Sequence, residues 1–519
     1  MRVYGILYFK TQTYGFQEVH NKRKVVKNME TTGLDNSAIK TLAVPLPEDI
    51  LKLKWCGEFE QAEKLIDRKL EKELPEALKT RLMLEKEILK RMPGQYPYTW
   101  EQALELMREN IRDFKDEELM QLWQDDAADW IYIHGQVHFR SSFLRNLVKT
   151  RKAYEERVMD PELAGDSRGH ELLDTTIEAM KAEGGQARRF HMKITIRLKP
   201  EAERDGSKIR VYIPLPVEYA QVENFKLLSV NVGDRKAEEG EYMVAPARQV
   251  QRTVCIETTH KTGQTYSAEF EFENHSAYVD LNSPEAIEKA AEAAGDLKKA
   301  DIKWEIDDPE LYLGELLPHI RFSPYIKALA AEITEGETNP LVKARKIYDF
   351  VTTRVMYSYV RSYFTITDIP QYVAASLKGD CGVQALLFIT LCRASGIPAR
   401  WQAGLYTTPL TVGNHDWAQF YVEPFGWRFA DCSFGGSAYR KQSEFRWNFY
   451  FGNLEPFRLP AAREYQGDFM PVSCHLRHDP YDNQEGEVEY EDAGLTEEEF
   501  ETEFDMIELE TVQWERTGN

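Results

Sequence analysis

The sequence predicts a multidomain α+β protein: a helical N-terminal region, then an antiparallel β-sandwich, then an α+β core. Three observations carry this. At 519 residues the chain is too long for one hydrophobic core. Its apolar spacing changes from three- and four-residue steps to strict alternation near Gly184. After Asn339 a strongly apolar helix is followed by two alternating segments joined by a tight turn.

The helical pattern is clearest in EFEQAEKLIDRKLEKELPEALKTRLMLEKEIL, where Pro75 predicts a break between two helices. A second helical stretch starts near Thr99 and runs past Trp130, and no fixed repeat period joins the two. Residues 47–185 therefore read as a helical accessory domain, preceded by an N-terminal extension over 1–46. The extension has only a short apolar patch and no small-residue cleavage site, a poor match to a secretory signal. Met29 is as good a candidate start as Met1.

RFHMKITIRL, KIRVYIPLP, FKLLSVNVG, TVCIETTH and TYSAEFEFE alternate apolar and polar residues between turn signals. That spacing predicts an antiparallel sandwich over 186–280. A helical connector, capped by Ser283 with Pro284 in the first helical position, is expected over 281–335. The core is expected over 336–478.

Six scattered cysteines without paired spacing suit reduced thiols, and no apolar run is long enough to span a membrane. The expected location is the cytoplasm. Net charge is −21, but residues 479–519 hold sixteen carboxylates against one arginine. With no basic field elsewhere, a nucleic-acid partner is not expected. The acidic end reads as a solvated face or tail, with docking of a basic partner as the alternative. LTEEEFETEFDMIELE has apolar residues at three- to four-residue steps, which predicts a helix there.

The chemistry lies in GDCGVQALLFITLCRASGIPAR, residues 379–400. The helix after Cys381 has almost no polar face and must be buried, closed by Gly396 and Pro398. Cys381 sits at its N-terminus, where free N–H groups and the helix dipole favour a thiolate and can face a developing oxyanion. A thiol nucleophile needs a base and an orienter. In NHDWAQFYVEPFGWRFADCSFGG, His415 opens a strand, Glu423–Gly426 is a turn and Trp427–Cys432 is the returning strand, which carries Asp431. The two face the same side if the connection has an odd-length turn or a bulge. Cys432, beside Asp431, reads as a core residue.

These blocks, with the preceding helix NPLVKARKIYDFV, resemble the transglutaminase-like superfamily in its bacterial multidomain form. The matches are its Cys block with the following "RA.GIPAR" strand, its "H.W" strand and its "GW..D" strand, at spacings of 34 and 16 residues. The resemblance covers about residues 335–440. It implies a papain-like α+β core with Cys381 as nucleophile, His415 as base and Asp431 as orienter of the imidazole. The function it implies is cysteine-dependent hydrolysis of an amide, peptide or isopeptide bond through a thioester. Transamidation of glutamine side chains and a non-catalytic peptide-binding scaffold are the alternatives. Asp380 precedes the cysteine where family members often carry a different oxyanion-supporting group. Gln371, Tyr359 and Tyr357 are candidate second donors, and Trp401 and Trp417 candidate walls of a substrate groove. The expected partner is a peptide or protein substrate, with no membrane and no cofactor. Cys474, His475 and His478 lack the further ligands a metal site needs, so no metal is expected.

Overall fold

The structure, a computed structural model, describes residues 33–160, 163, 167–295 and 304–514. The candidate start at Met29 lies outside them. The described part of the expected extension is not loose. A 3-10 helix, Asn36–Ala43, opens on Asp35 and buries Ala38, Ile39 and Leu42 in the main core. The Leu476 N–H donates to the Leu34 carbonyl, tying this segment to the C-terminal third of the chain.

Helices Phe59–Leu70 and Glu76–Arg91 are separated at Pro75, as the missing N–H of proline requires. Trp100–Asn110 opens with a capping box between Thr99 and Gln102. The region is not purely helical: Tyr98–Thr99, Trp130–Ile133 and Gln136–Phe139 form a small antiparallel sheet. Helix α1 (Phe143–Thr150) follows and leans on the core. There the Tyr359 N–H donates to Asn146 Oδ1 at 2.8 Å.

Five strands match the alternating segments: β1 (Gly185–Leu198), β2 (Lys208–Pro214), β3 (Val222–Val232), β4 (Thr253–Thr259) and β5 (Thr265–Ala277). β1 pairs β5 along its whole length, with Phe190 opposite Phe272 and their rings stacked at 4.7 Å. Ser283 caps helix Pro284–Glu292 through the Ala286 N–H.

The core begins with helix α2 (Pro340–Arg354) and the central helix α3 (Cys381–Ala394). Twelve of the fourteen α3 residues are buried, as its apolar sequence demands. A five-stranded antiparallel sheet covers it. Its strands are β6 (Ala399–Thr407), β7 (Val412–Val422), β8 (Gly426–Ala430), β9 (Phe451–Gly452) and β10 (Arg458–Ala462), in the order β9-β8-β7-β6-β10. Helix α4 (Cys432–Arg440) follows β8 directly. Cys432 is therefore a buried first helical residue and not a strand residue.

The chain then returns to the sandwich. β11 (Glu487–Tyr490) pairs β2, and β12 (Phe500–Val512) runs antiparallel to β1 from Phe500↔Leu198 to Val512↔Ala187. The sheets are β12-β1-β5-β3 with the short strand Arg235–Lys236, and β11-β2-β4 with Tyr242–Val244. Their facing side chains form one core. The acidic C-terminus is thus an edge strand of the sandwich, neither a free tail nor a helix. Phe500 and Phe504 are buried against β1 while the glutamates between them face outward or half-outward.

Ending the chain at residue 495 removes β12 and the burial of two phenylalanines, about 1.5–3 kcal/mol each, and bares the β1 edge. The expected result is a lower thermal midpoint and association through that edge, read by circular dichroism and size-exclusion chromatography. An unchanged midpoint would contradict a structural role for β12.

Candidate active site

Asp431 is the last residue before α4 and caps it: its Oδ1 accepts from the Phe434 N–H at 2.9 Å. Its Oδ2 accepts from His415 Nε2 at 2.7 Å and from Arg458 Nη1 at 3.0 Å. The β7–β8 register explains why His415 and Asp431 meet. Val422 pairs Gly426 and Ala418 pairs Ala430, so the connection holds three residues, 423–425. That odd length puts Asp431 on the face of His415 and Trp417.

The Asp431 carboxylate is fully buried. Burial alone would raise its pKa, but interaction with His415, the Arg458 charge and the Phe434 N–H hold it down at about 2. Burial lowers the His415 pKa, with Asp431 opposing and Arg458 adding to the drop. The resting imidazole is therefore neutral and able to accept a proton. Because Nε2 is committed to Asp431, Nδ1 is the nitrogen left for chemistry.

Cys381 opens α3, with Asp380 as N-cap, so its backbone N–H is one of the donors a helix start leaves unused. The thiol lines the same cavity of about 850 Å³ as His415. Its hydrogen bond goes elsewhere: Sγ donates to Asp416 Oδ2 at 3.3 Å, and among the described residues none joins it to His415. Burial, the Asp416 charge and the Asp380 charge raise the thiol pKa well above its ordinary value. The structure so brings His415 and Asp431 together and puts Cys381 beside them, holding the thiol in its neutral form.

Asp416 is itself unusual. Its Oδ1 accepts from Gln484 Nε2 at 2.7 Å, and a hydrogen bond joins its carboxyl to that of Asp482. Burial pushes Asp416 up to about 7, and burial with the Asp416 charge drives Asp482 well above the carboxylate range. The pair therefore holds on to a shared proton. Gly382 makes room for this arrangement, since a Cβ there would lie 2.7 Å from Asp416 Oδ2 and collide with the Tyr363 hydroxyl.

The remaining predicted residues divide. Tyr359 and Tyr357 line the cavity of Cys381. Gln371 does not: it is exposed near the start of its helix, its backbone capped by Asp368. Trp401 and Trp417 are fully buried and line neither cavity, which removes them as groove walls. Trp417 instead donates through Nε1 to Gln402 Oε1 at 2.7 Å, with its ring 5.9 Å from that of His415. Sequence reasoning missed Asp416, Tyr363, Arg458, Asp482 and Gln484. Only Asp416 left a signal, as the residue directly after His415. No cluster of three or more His, Cys, Asp or Glu among the described residues is arranged to hold a metal.

Residues 327–432 match the family model described as the transglutaminase-like superfamily. An uncharacterized protein from Haemophilus influenzae is 28% identical over 150 residues, 24% of this chain, and the match spans 40% of that relative's length. Among solved structures, a Cytophaga hutchinsonii protein named "Putative Cysteine Protease" is 15% identical with a TM-score of 0.38, covering 64% of this chain and 93% of that one. The periplasmic domain of TgpA from Pseudomonas aeruginosa is 13% identical with a TM-score of 0.25, covering 52% and 94%.

Asp416→Asn removes a negative charge from the sulfur, so the thiol should ionise more easily. The pH midpoint of Cys381 alkylation by iodoacetamide, read by peptide mass spectrometry, is expected to fall by about one unit or more. A rise, or no change, would contradict the assigned charge on Asp416.

Proposed function

From the transglutaminase-like domain that residues 327–432 carry, we propose that this protein is a cysteine-dependent hydrolase of amide, peptide or isopeptide bonds. The observation that carries the reading is His415, lining the cavity onto which Cys381 opens and bonded at 2.7 Å to the buried Asp431 behind it. Cys381 Sγ turns from Asp416 towards His415, gives its proton to the imidazole and attacks the carbonyl carbon. The oxyanion takes hydrogen bonds from the Cys381 N–H and from the Tyr359 hydroxyl. Tyr359 lines the cavity, which supports this role, and Arg145 donates to its oxygen at 3.3 Å. Collapse of the adduct breaks the C–N bond, and the departing amine takes the proton from His415. Water, deprotonated by His415, then cleaves the thioester and regenerates the thiol.

Hydrolysis is favoured over transamidation because polar groups, among them Asn414, Asp416, Ser437 and Gln484, line the cavity and leave the thioester open to water. Peptide-library digestion in H2(18)O, with a fluorescent primary amine present, tests this. New carboxyl termini carrying (18)O are expected, at a rate that falls at least about a thousandfold in Cys381→Ser and His415→Ala. Amine incorporation without (18)O would make the enzyme a transamidase. No product that depends on Cys381 would overturn the enzyme reading.

A further inference from the structure

Two cavities of about 850 Å³ adjoin next to Cys381, sharing Tyr359, Tyr363, Asp380, Asn414, Asp416 and Gln484 as common wall. They differ in charge. The cavity away from His415 takes six carboxyl side chains from the 479–498 segment, against Arg140, Arg361 and His478. The cavity of His415 and Cys381 is walled instead by Lys149 from α1, Arg440 from the end of α4, and Lys441 just after it.

Of these three cations, Lys149 touches aromatic rings and Lys441 a histidine. Among the described residues no carboxylate lies within ion-pair distance of any of them, whereas Lys152 in the same wall pairs with Glu156 at 3.5 Å. Lys149 Nζ lies 3.8 Å from the ring centroid of Tyr357 and 5.2 Å from that of Tyr359, both of which line the cavity. Lys441 Nζ is 3.5 Å from His170 Nε2. The cations also repel one another. Burial lowers the Lys441 pKa, exposed Glu155 opposes this, and the charges of Arg446, Lys149 and Arg440 lower it further. Burial lowers the Arg440 pKa as well. The field reaches the proposed base, since Lys149 is one of the charges that lower the His415 pKa. Glu155 lines the same wall, but three grouped cations with no carboxylate in ion-pair contact among the described residues are relieved by a bound anion.

We propose that Lys149, Arg440 and Lys441 form an anion subsite that selects substrates bearing a carboxylate on one flank of the scissile amide. The inference rests on the cysteine-hydrolase reading of the same cavity. The acidic neighbouring cavity repels that carboxylate, so the charge contrast fixes which way the substrate lies across Cys381. It also gives the helical N-terminal region a part in recognition, because α1 carries Lys149 across the cleft.

The test compares alkylation of Cys381 by iodoacetate and iodoacetamide, which differ in the carboxylate. In each, Sγ displaces iodide and the thiol proton leaves to the base. The iodoacetate-to-iodoacetamide rate ratio at Cys381, referenced to exposed Cys56 and Cys474, is measured in wild type, Lys149→Gln, Arg440→Gln and the double variant. The double variant is expected to lower the ratio about fivefold or more, and 0.5 M NaCl to lower the wild-type ratio in the same direction. A ratio unmoved by both would overturn the subsite. The salt arm needs no variant, so a misfolded variant leaves the question decidable. Failure of the hydrolase reading shows differently, as slow iodoacetamide labelling that His415→Ala does not change.

The source of the carboxylate is separated by protecting Cys381 with acetyl-Ala-Ala-Ala, acetyl-Ala-Glu-Ala-amide or acetyl-Ala-Ala-Ala-amide. Protection by the first identifies a C-terminal carboxylate, by the second an acidic side chain. Protection by both charged peptides no better than by the neutral one would also overturn the proposal.

Discussion

A fully buried carboxylate, Asp431, sets the conditions that the rest of the core must meet. An isolated charge in that position would cost several kcal/mol, so the fold surrounds it with donors: His415 Nε2, Arg458 Nη1 and the Phe434 N–H. Arg458 is itself buried and needs a second anion, which Glu455 supplies at 2.7 Å. The rings of Tyr406, Trp417 and Phe434 lie within 4.7–5.2 Å of the guanidinium and complete its enclosure. Taking out one member strands the others, so the imidazole is fixed by a network and not by a single bond.

That network reaches into the sandwich. Asn274 of β5 donates to the Arg458 carbonyl at 2.7 Å, and the Val217 and Arg252 N–H groups donate to the carbonyls of Pro460 and Ala461 on β10. Leu405 and Leu459 from the core sheet belong to the apolar core of the sandwich. The sandwich therefore clamps the edge strand that presents Arg458. From the opposite side, Asn146 of α1 holds the backbone of Tyr359. The 479–486 segment, on its way to β11, brings Asp482 and Gln484 to Asp416. Three separate stretches of chain converge around Cys381, His415 and Asp431, which themselves span only fifty-one residues.

This distribution explains what the sequence could reveal. Cys381, His415 and Asp431 were legible because each sits at the end of a regular element whose period is local: the start of an apolar helix, the start of a strand, the residue after a returning strand. Their shared face depended on the parity of one turn, which composition does not fix. Arg458, Asp482, Gln484 and Lys149 were invisible because they reach the site across long separations, and nothing near them in sequence marks a chemical role. The C-terminal strand was misread for a different reason. Phe500 and Phe504 stand four apart, which satisfies a helix and also an alternating strand, and the many glutamates favour helix. Twelve residues paired along β1 outweigh that local preference.

The charge around the sulfur follows from the same crowding. Asp380 is needed as the N-cap of α3 and takes hydrogen bonds from the Tyr363 hydroxyl and the Val360 N–H. Asp416 enters the opposite face of β7, against the N-terminus of α3, where Gly382 leaves space for its carboxyl. Two carboxyls beside one thiol cannot all be charged at low cost. The protein meets this by leaving one proton shared within the Asp416–Asp482 pair and another on Cys381. The helix N-terminus favours a thiolate, but a dipole that amounts to about half a charge does not outweigh neighbouring carboxylates and burial together. The resting state therefore keeps its sulfur neutral and hydrogen-bonded to Asp416.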